Sequence, residues 1–226
     1  MNLLLLGRGK TGSLVLEVAI ERKHQARMLG ARDNFDARGL TAEALNGVDV
    51  VIDFTTPEAV IKNIEACARA KKNMVVGTTG WYRDLERVRT LVNETGIGFV
   101  YAANFSFGVN LFFEIAGLVG MALKHGYGGS IEEVHHVSKK DAPSGTALKL
   151  QHILEEAGGK KLGIASIRES DVPGTHTISL ESLADSLTLT HEAHSRRGFA
   201  EGAVKAAEWL NGKAGFYEFR DIFHEV

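Results

Sequence analysis

Residues 135–146 read His-His-Val-Ser-Lys-Lys-Asp-Ala-Pro-Ser-Gly-Thr, and side chains of these types in this order can move protons and hold an anion. His135 and His136 supply imidazoles, a type of group that exchanges protons near neutral pH, and Lys139 offers an ammonium that can pair with a carboxylate and deliver a proton. Lys140 stands beside it as a solvated neighbour. Residues 130–137 ahead of the cluster read as a β-strand, and residues 143–151 after it read as a helix with a Pro/Ser start signal. The cluster therefore falls on the connecting loop. Free N–H groups and the positive end of the dipole make such a helix start a seat for a carboxylate or phosphate, so the segment suits a small anionic substrate that gains or loses a proton. Capping by Asp141 and Ser144 accounts for the helix start alone, but not for two histidines and a lysine directly before it. Adjacent strand residues face opposite sides, so His135 and His136 do not share an ion. No Cys or third His stands at ligand spacing, and no metal site is expected.

The elements that must position this segment fall into two patterns. Up to residue 102, strand-like runs (3–6, 26–31, 48–54, 74–76, 97–102) alternate with helical runs (11–23, 57–71, 85–94), as in a parallel sheet wrapped by helices with ligands at the strands' carboxyl ends. Gly7-Arg8-Gly9-Lys10-Thr11-Gly12 falls between the first strand and the first helix. There a dinucleotide fingerprint needs glycines so that a pyrophosphate can approach the helix N-terminus. A phosphate loop of the nucleotide-triphosphate type needs a glycine where Leu4 stands, and is excluded. The end of the second strand reads Leu29-Gly30-Ala31-Arg32-Asp33. If the strand ends at Ala31, Arg32 meets a 2′-phosphate, with Arg8 and Lys10 helping, and NADPH is preferred; if it runs further, Asp33 accepts from a ribose hydroxyl and NADH is admitted. Two later loops, Gly77-Thr78-Thr79-Gly80 and Ala103-Asn104-Phe105, also follow strand ends, where a nicotinamide ribose would lie.

Beyond Gly108 the pattern changes to a helix (110–124), the strand and helix of the proton-transfer segment, and alternating runs at 175–181 and 186–191. This is an α+β mixture. A long helix (199–211) and a short strand (216–219) then return to the first sheet. The expected fold is α/β: a Rossmann-like dinucleotide-binding domain of residues 1–106 plus 196–226, and a second α+β domain of residues 107–195. Such a chain leaves two hinges beside the cleft, and domain closure follows from them.

At 226 residues and 44% hydrophobic content the chain is ample for packed cores. A formal charge of −2, with dispersed basic residues, gives no field for nucleic acid. The apolar run at residues 3–6 is too short for a signal-peptide core, and Glu114 interrupts the longest later run while Lys124 ends it, so no membrane span and a cytoplasmic location are expected. The single cysteine, Cys67, reads as a buried core thiol.

With these residues in view, the chain resembles the dihydrodipicolinate reductases over nearly its full length. The most specific part is His-His-x-x-Lys-x-Asp-Ala-Pro-Ser-Gly-Thr-Ala at 135–147. It is joined in order by the glycine loop, Asp53-Phe54-Thr55, the loops at 77–80 and 103–106, and Leu189-Thr190-His191 through Ser195-Arg196. The resemblance implies hydride transfer from a reduced nicotinamide to a small cyclic dicarboxylate, with His135 as general acid/base and Lys139 as proton donor. It also implies that His136, Ser144, Gly145 and Thr146 bind substrate, that Arg196 supports electrostatically, and that the protein is a homotetramer. Three departures stand out: the chain is short, its glycine loop is one residue compressed, and Ala31 occupies the usual acidic position. Another dehydrogenase on the same nucleotide fold does not account for residues 135–146. A nicotinamide-binding sensor has no use for both His135 and Lys139.

Overall fold

The computed structural model describes residues 1–226, which divide into two compact units, residues 1–107 with 197–226, and residues 108–196. In the first, strands β1 (Asn2–Leu6), β2 (Gln25–Leu29), β3 (Val50–Asp53), β4 (Asn73–Val76), β5 (Gly98–Tyr101) and, from the chain's end, Gly215–Glu218 pair in one parallel sheet. Between them run helices α1 (Lys10–Glu21), α2 (Ala42–Leu45), α3 (Pro57–Arg69) and α4 (Leu85–Thr95). Because side chains alternate across a strand, β1 feeds both faces. Leu3 and Leu5 pack with α1 residues Val15, Val18 and Ala19. Leu4 and Leu6 pack with Val60, Ile64 and Cys67 of α3 and with Val88 and Val92 of α4. All of these side chains are buried, Cys67 among them.

β1 lies between β2 and β3, so the strand order reverses beside it and a crevice opens at its carboxyl end. Strand β2 stops at Leu29, short of both ends considered from sequence, because the chain turns there: the amides of Asp33 and Asn34 both donate to Gly30 O.

The second unit holds helix α5 (Phe107–Gly120), which begins at the boundary, strand β6 (Gly128–His135), helix α6 (Gly145–Gly158), and strands β7 (Gly163–Arg168), β8 (Thr175–Glu181) and β9 (Ser186–Glu192). The sheet is mixed, in the order β7-β6-β8-β9, with β6 and β7 parallel and the other pairs antiparallel. Strand β7 is absent from the sequence reading, since its residues alternate weakly in hydrophobicity and most are exposed. Ile131, Ile178 and Leu180 pack beneath Phe112, Ala116, Ala147, Leu150 and Leu154. Helix α5 with the turn after it, Phe107–His125, is 19 residues long with mean hydropathy 1.4, long and apolar enough to cross a membrane. Glu114 therefore does not interrupt it as expected, and the run ends at His125, beside Lys124. It buries Phe112, Ala116 and Leu123 in this core, while Leu111, Leu118 and Met121 stay exposed. The chain then returns to the first unit through α7 (Arg197–Leu210), the edge strand β10 (Gly215–Glu218) and α8 (Phe219–Ile222).

Candidate active site

The alternation that buries Ile131 places Glu133 and His135 on the same face of β6, where both are buried. The register sets Glu133 opposite His176 on β8 and Ser166 on β7, and sets His135 opposite Arg168. The apolar stripe thus turns polar at the carboxyl end of β6, where the loop to α6 begins. Glu133 accepts from Arg168 through both guanidinium nitrogens, at 3.1 and 2.9 Å. It also accepts from Ser144 N at 3.3 Å and contacts Nδ1 of His135. Burial alone pushes the Glu133 carboxyl up, but hydrogen bonds from Arg168, Ser166 and His135 outweigh it and hold the pKa at about 2. For His135, burial pulls the imidazole pKa down and the Glu133 carboxylate opposes the shift. Gly174 passes against the ring, and a Cβ there would lie 2.9 Å from His135 Nε2.

Lys139 donates to both oxygens of Asp141, at 2.9 and 2.8 Å, and its charge acts on His135. His136 faces away from His135 and meets Ser138 Oγ at 2.8 Å. The Ser144 hydroxyl is 2% exposed and already engaged. It accepts from Ala147 N at 3.1 Å as the N-cap of α6 and contacts His176 Nε2 at 3.0 Å. It thereby holds the helix start. Gly145 stays exposed and Thr146 half-buried, with their first-turn N–H groups at the positive end of the helix. Arg196 is exposed at the end of this unit. Glu133, Ser166, Arg168 and His176 were missed from sequence, although the period-two spacing of Glu133 and His135 was a usable signal.

In the first unit a cleft of about 700 Å³ lies at the switch point, lined by Gly7, Arg8 and Gly9, the β2 end and the start of α3. Helix α1 has Gly9 as its N-cap and no side-chain cap, so the first-turn amides of Lys10, Thr11 and Gly12 have no side-chain acceptor and suit a pyrophosphate. A Cβ on Gly12 would stand 2.0 Å from Gly7 O, and one on Gly7 2.3 Å from Phe54 O. The loop closes only with glycine at both places.

Arg32 does not line the cleft, because the early turn after Leu29 carries it away. Asp33 folds back to accept from Gly30 N at 3.1 Å and sits 3.7 Å from Arg8. The cations that do line the cleft are Arg8 and Lys62, the latter paired with Asp36. Asn34, Asn63 and the 72% exposed Phe35 complete the wall.

Gly77, Thr78, Thr79, Ala103, Asn104 and Phe105 lie outside this lining. Gly77 packs against the Phe54 ring, and Thr78 donates its hydroxyl to Asp53 at 2.8 Å, while Thr79 and Ala103 are exposed. Asn104 accepts from Ser106 N at 2.8 Å. Phe105, 2% exposed, packs on Phe54 and Phe219 and has its carbonyl against Gly202, so its ring belongs to the core.

Comparison with known proteins agrees with this architecture. Residues 1–105 match the family profile described as dihydrodipicolinate reductase, N-terminus, and residues 108–223 match the one described as its C-terminus. The chain is 40% identical over 240 residues to 4-hydroxy-tetrahydrodipicolinate reductase of Christiangramia forsetii, covering 100% of this chain and 99% of that protein. Its shortness is therefore shared by that relative. It is 40% identical over 196 residues to the enzyme of the same name in Neisseria meningitidis serogroup A, covering 77% of this chain and 72% of that one. Among solved structures, dipicolinate-bound dihydrodipicolinate reductase from Paenisporosarcina sp. TG-14 superposes with a TM-score of 0.81 at 23% identity, covering 98% and 99% of the two chains, which shows a shared fold.

Two outcomes follow from this geometry. Gly12→Val should open the glycine loop and abolish dinucleotide binding at concentrations that saturate the parent, as measured by titration calorimetry. Burial, with the His135 charge adding to it, pushes His176 from 6.5 down to about 4. The unfolded chain therefore binds the extra proton between these values. Stability on the order of 3 kcal/mol is present above about pH 6.5 and is lost as pH falls toward 4. Urea unfolding across that range should show the decline, and His176→Gln should flatten it.

Proposed function

Because the chain belongs to the dihydrodipicolinate reductase family, we propose that it catalyses NAD(P)H-dependent reduction of 4-hydroxy-tetrahydrodipicolinate to tetrahydrodipicolinate, in lysine and diaminopimelate biosynthesis. The observation that carries this reading is the convergence of His135, Lys139 and the open start of α6 at the end of β6. Overall, the ring loses its hydroxyl and a neighbouring proton as water, then takes one hydride on carbon and one proton. Bound NAD(P)H supplies the hydride from nicotinamide C4, and the uncapped glycine-loop helix start and the cleft of the first unit fit such a dinucleotide.

The remaining work falls to the side chains. The first-turn amides of Gly145 and Thr146 take a substrate carboxylate, with His136 and Arg196 as further polar partners. The Lys139 ammonium, held by Asp141 until substrate arrives, exchanges that carboxylate for a substrate carboxylate and donates the proton. His135, with Nδ1 engaged by Glu133, offers Nε2 for the proton lost or regained at the ring.

For the cofactor we infer a preference for NADPH, with Arg8 and Lys62 meeting the 2′-phosphate. Their acidic partners Asp33 and Asp36 can accept from a ribose hydroxyl instead, which admits NADH. A homotetramer assembles through the second-unit sheet on this reading, since the face bearing Ser130, Glu132, Thr188 and Thr190 is exposed. On this reading the reaction belongs to the cytoplasm.

The test is oxidation of NADPH and NADH with the labile substrate generated in place by a synthase from pyruvate and aspartate semialdehyde. Synthase-dependent oxidation is expected, and a folded protein that binds cofactor but oxidises neither would overturn the reading. His135→Gln should lower kcat by about 10²- to 10⁴-fold while cofactor affinity by fluorescence titration stays unchanged. Lys62→Gln should lower kcat/KM for NADPH by about tenfold or more, the loss of one charged hydrogen bond. It should leave the NADH value unaltered, and Arg32→Ala should leave the ratio of the two as it was.

A further inference from the structure

We propose that Glu133 and Arg168 form a charge-paired hub that positions both proton-transfer groups, Glu133 holding His135 and Arg168 holding the loop that carries Lys139. The proposal rests on the roles of His135 and Lys139 given above, and assigns to Glu133 and Arg168 positioning roles that act through those two residues.

Glu133 is fully buried in β6 and spends both carboxylate oxygens within the site. Oε2 meets His135 Nδ1 and Arg168, and Oε1 meets Arg168 and Ser144 N. A carboxylate at Nδ1 accepts the proton there, so the neutral imidazole carries its hydrogen on Nδ1 and presents Nε2 as the open nitrogen. Gly174 keeps the space beside Nε2 clear, since any Cβ there would stand 2.9 Å away. The same carboxylate stabilises the imidazolium formed when Nε2 takes a proton.

Arg168 extends the hub to the loop. Its second terminal nitrogen also donates to Asp141 O at 2.7 Å, and the Asp141 carboxylate holds the Lys139 ammonium. One guanidinium therefore fixes the backbone from which the proton donor is aimed. Arg168 Nε remains buried without a partner. An arginine kept in place with a donor unsatisfied is placed for its two terminal nitrogens rather than for stability. No hydrophobic pair at these positions could orient an imidazole and a loop carbonyl together.

The protein itself provides the first readout. In histidine-labelled protein, NMR should find His135 as the Nδ1–H tautomer with its N–H proton far downfield of the amides. An Nε2–H tautomer would overturn the proposal. Glu133→Gln should then lower kcat by about 10- to 100-fold, as losses of such supporting partners do. It should leave cofactor affinity unchanged and move the limb of the pH–kcat profile set by His135 to lower pH, because the charge favouring the imidazolium is gone. Glu133→Asp should restore part of the rate. Arg168→Lys should keep the pH limb of the parent while lowering kcat/KM for the substrate. A Glu133→Gln variant whose profile is unshifted and whose rate loss matches its folded fraction would assign Glu133 to structure alone. Full activity of His135→Gln would instead defeat the underlying assignment of His135, so the two failures are separable.

Discussion

A carboxylate buried in a sheet has to be neutralised where it stands, and Glu133 imposes that requirement on the second unit. Removing one partner of such a buried pair costs about 3–5 kcal/mol, so Arg168, His135, Ser166 and Ser144 N are held around it as a set. Strand β7 must lie parallel to β6 to deliver Arg168 and Ser166. Helix α6 must begin beside the end of β6 to deliver Ser144 N. His176 on β8 then completes the cluster through Ser144 and through an edge contact with the His135 ring, 5.1 Å between centroids. The loop between β6 and α6 is thus fixed from three strands and a helix at once.

The first unit contains a second buried carboxylate, and the contrast between the two is instructive. Asp53 ends β3 and accepts from Thr55 N and Oγ1, Thr78 Oγ1 and Asn63 Nδ2, at 2.7 to 2.9 Å. Every donor is neutral. Burial therefore prevails and pushes the Asp53 carboxyl upward, whereas Glu133, with a guanidinium beside it, is held low. Each carboxylate suits its place. Asp53 ties the loops after β3 and β4 to helix α3, and Asn63 continues the network to Asn34 in the cleft wall at 2.9 Å. Glu133 must keep its charge to act on an imidazole.

How much of this was legible follows from how local each signal is. Strand β6, read from sequence as 130–137 and observed at Gly128–His135, the helix after Pro143 and the loop between them are set by alternation, by proline and by an N-cap serine, all within a few residues. The glycine loop was legible for the same reason, since Gly7 and Gly12 face one another across a single turn. The end of β2 was not, because the early turn depends on the Gly30 carbonyl capturing two later amides. That displaced Arg32 from the cleft and brought in Lys62 from a helix some thirty residues onward. For Phe105 and Ser144 the motif gave no sign that packing holds the ring of one and that capping engages the hydroxyl of the other.

By itself the sequence determined the types of the elements, the two-part organisation and the chemistry available at residues 135–146. Propensity, periodicity and titration range are properties of residues and their near neighbours. Only the tertiary structure decided that Glu133 faces His135 under Arg168, that Ser144 meets His176, and that Lys62 rather than Arg32 lines the cleft. Those pairings join residues up to thirty-five positions apart. They exist because strand register and burial bring together groups whose charges and hydrogen bonds must be satisfied away from water.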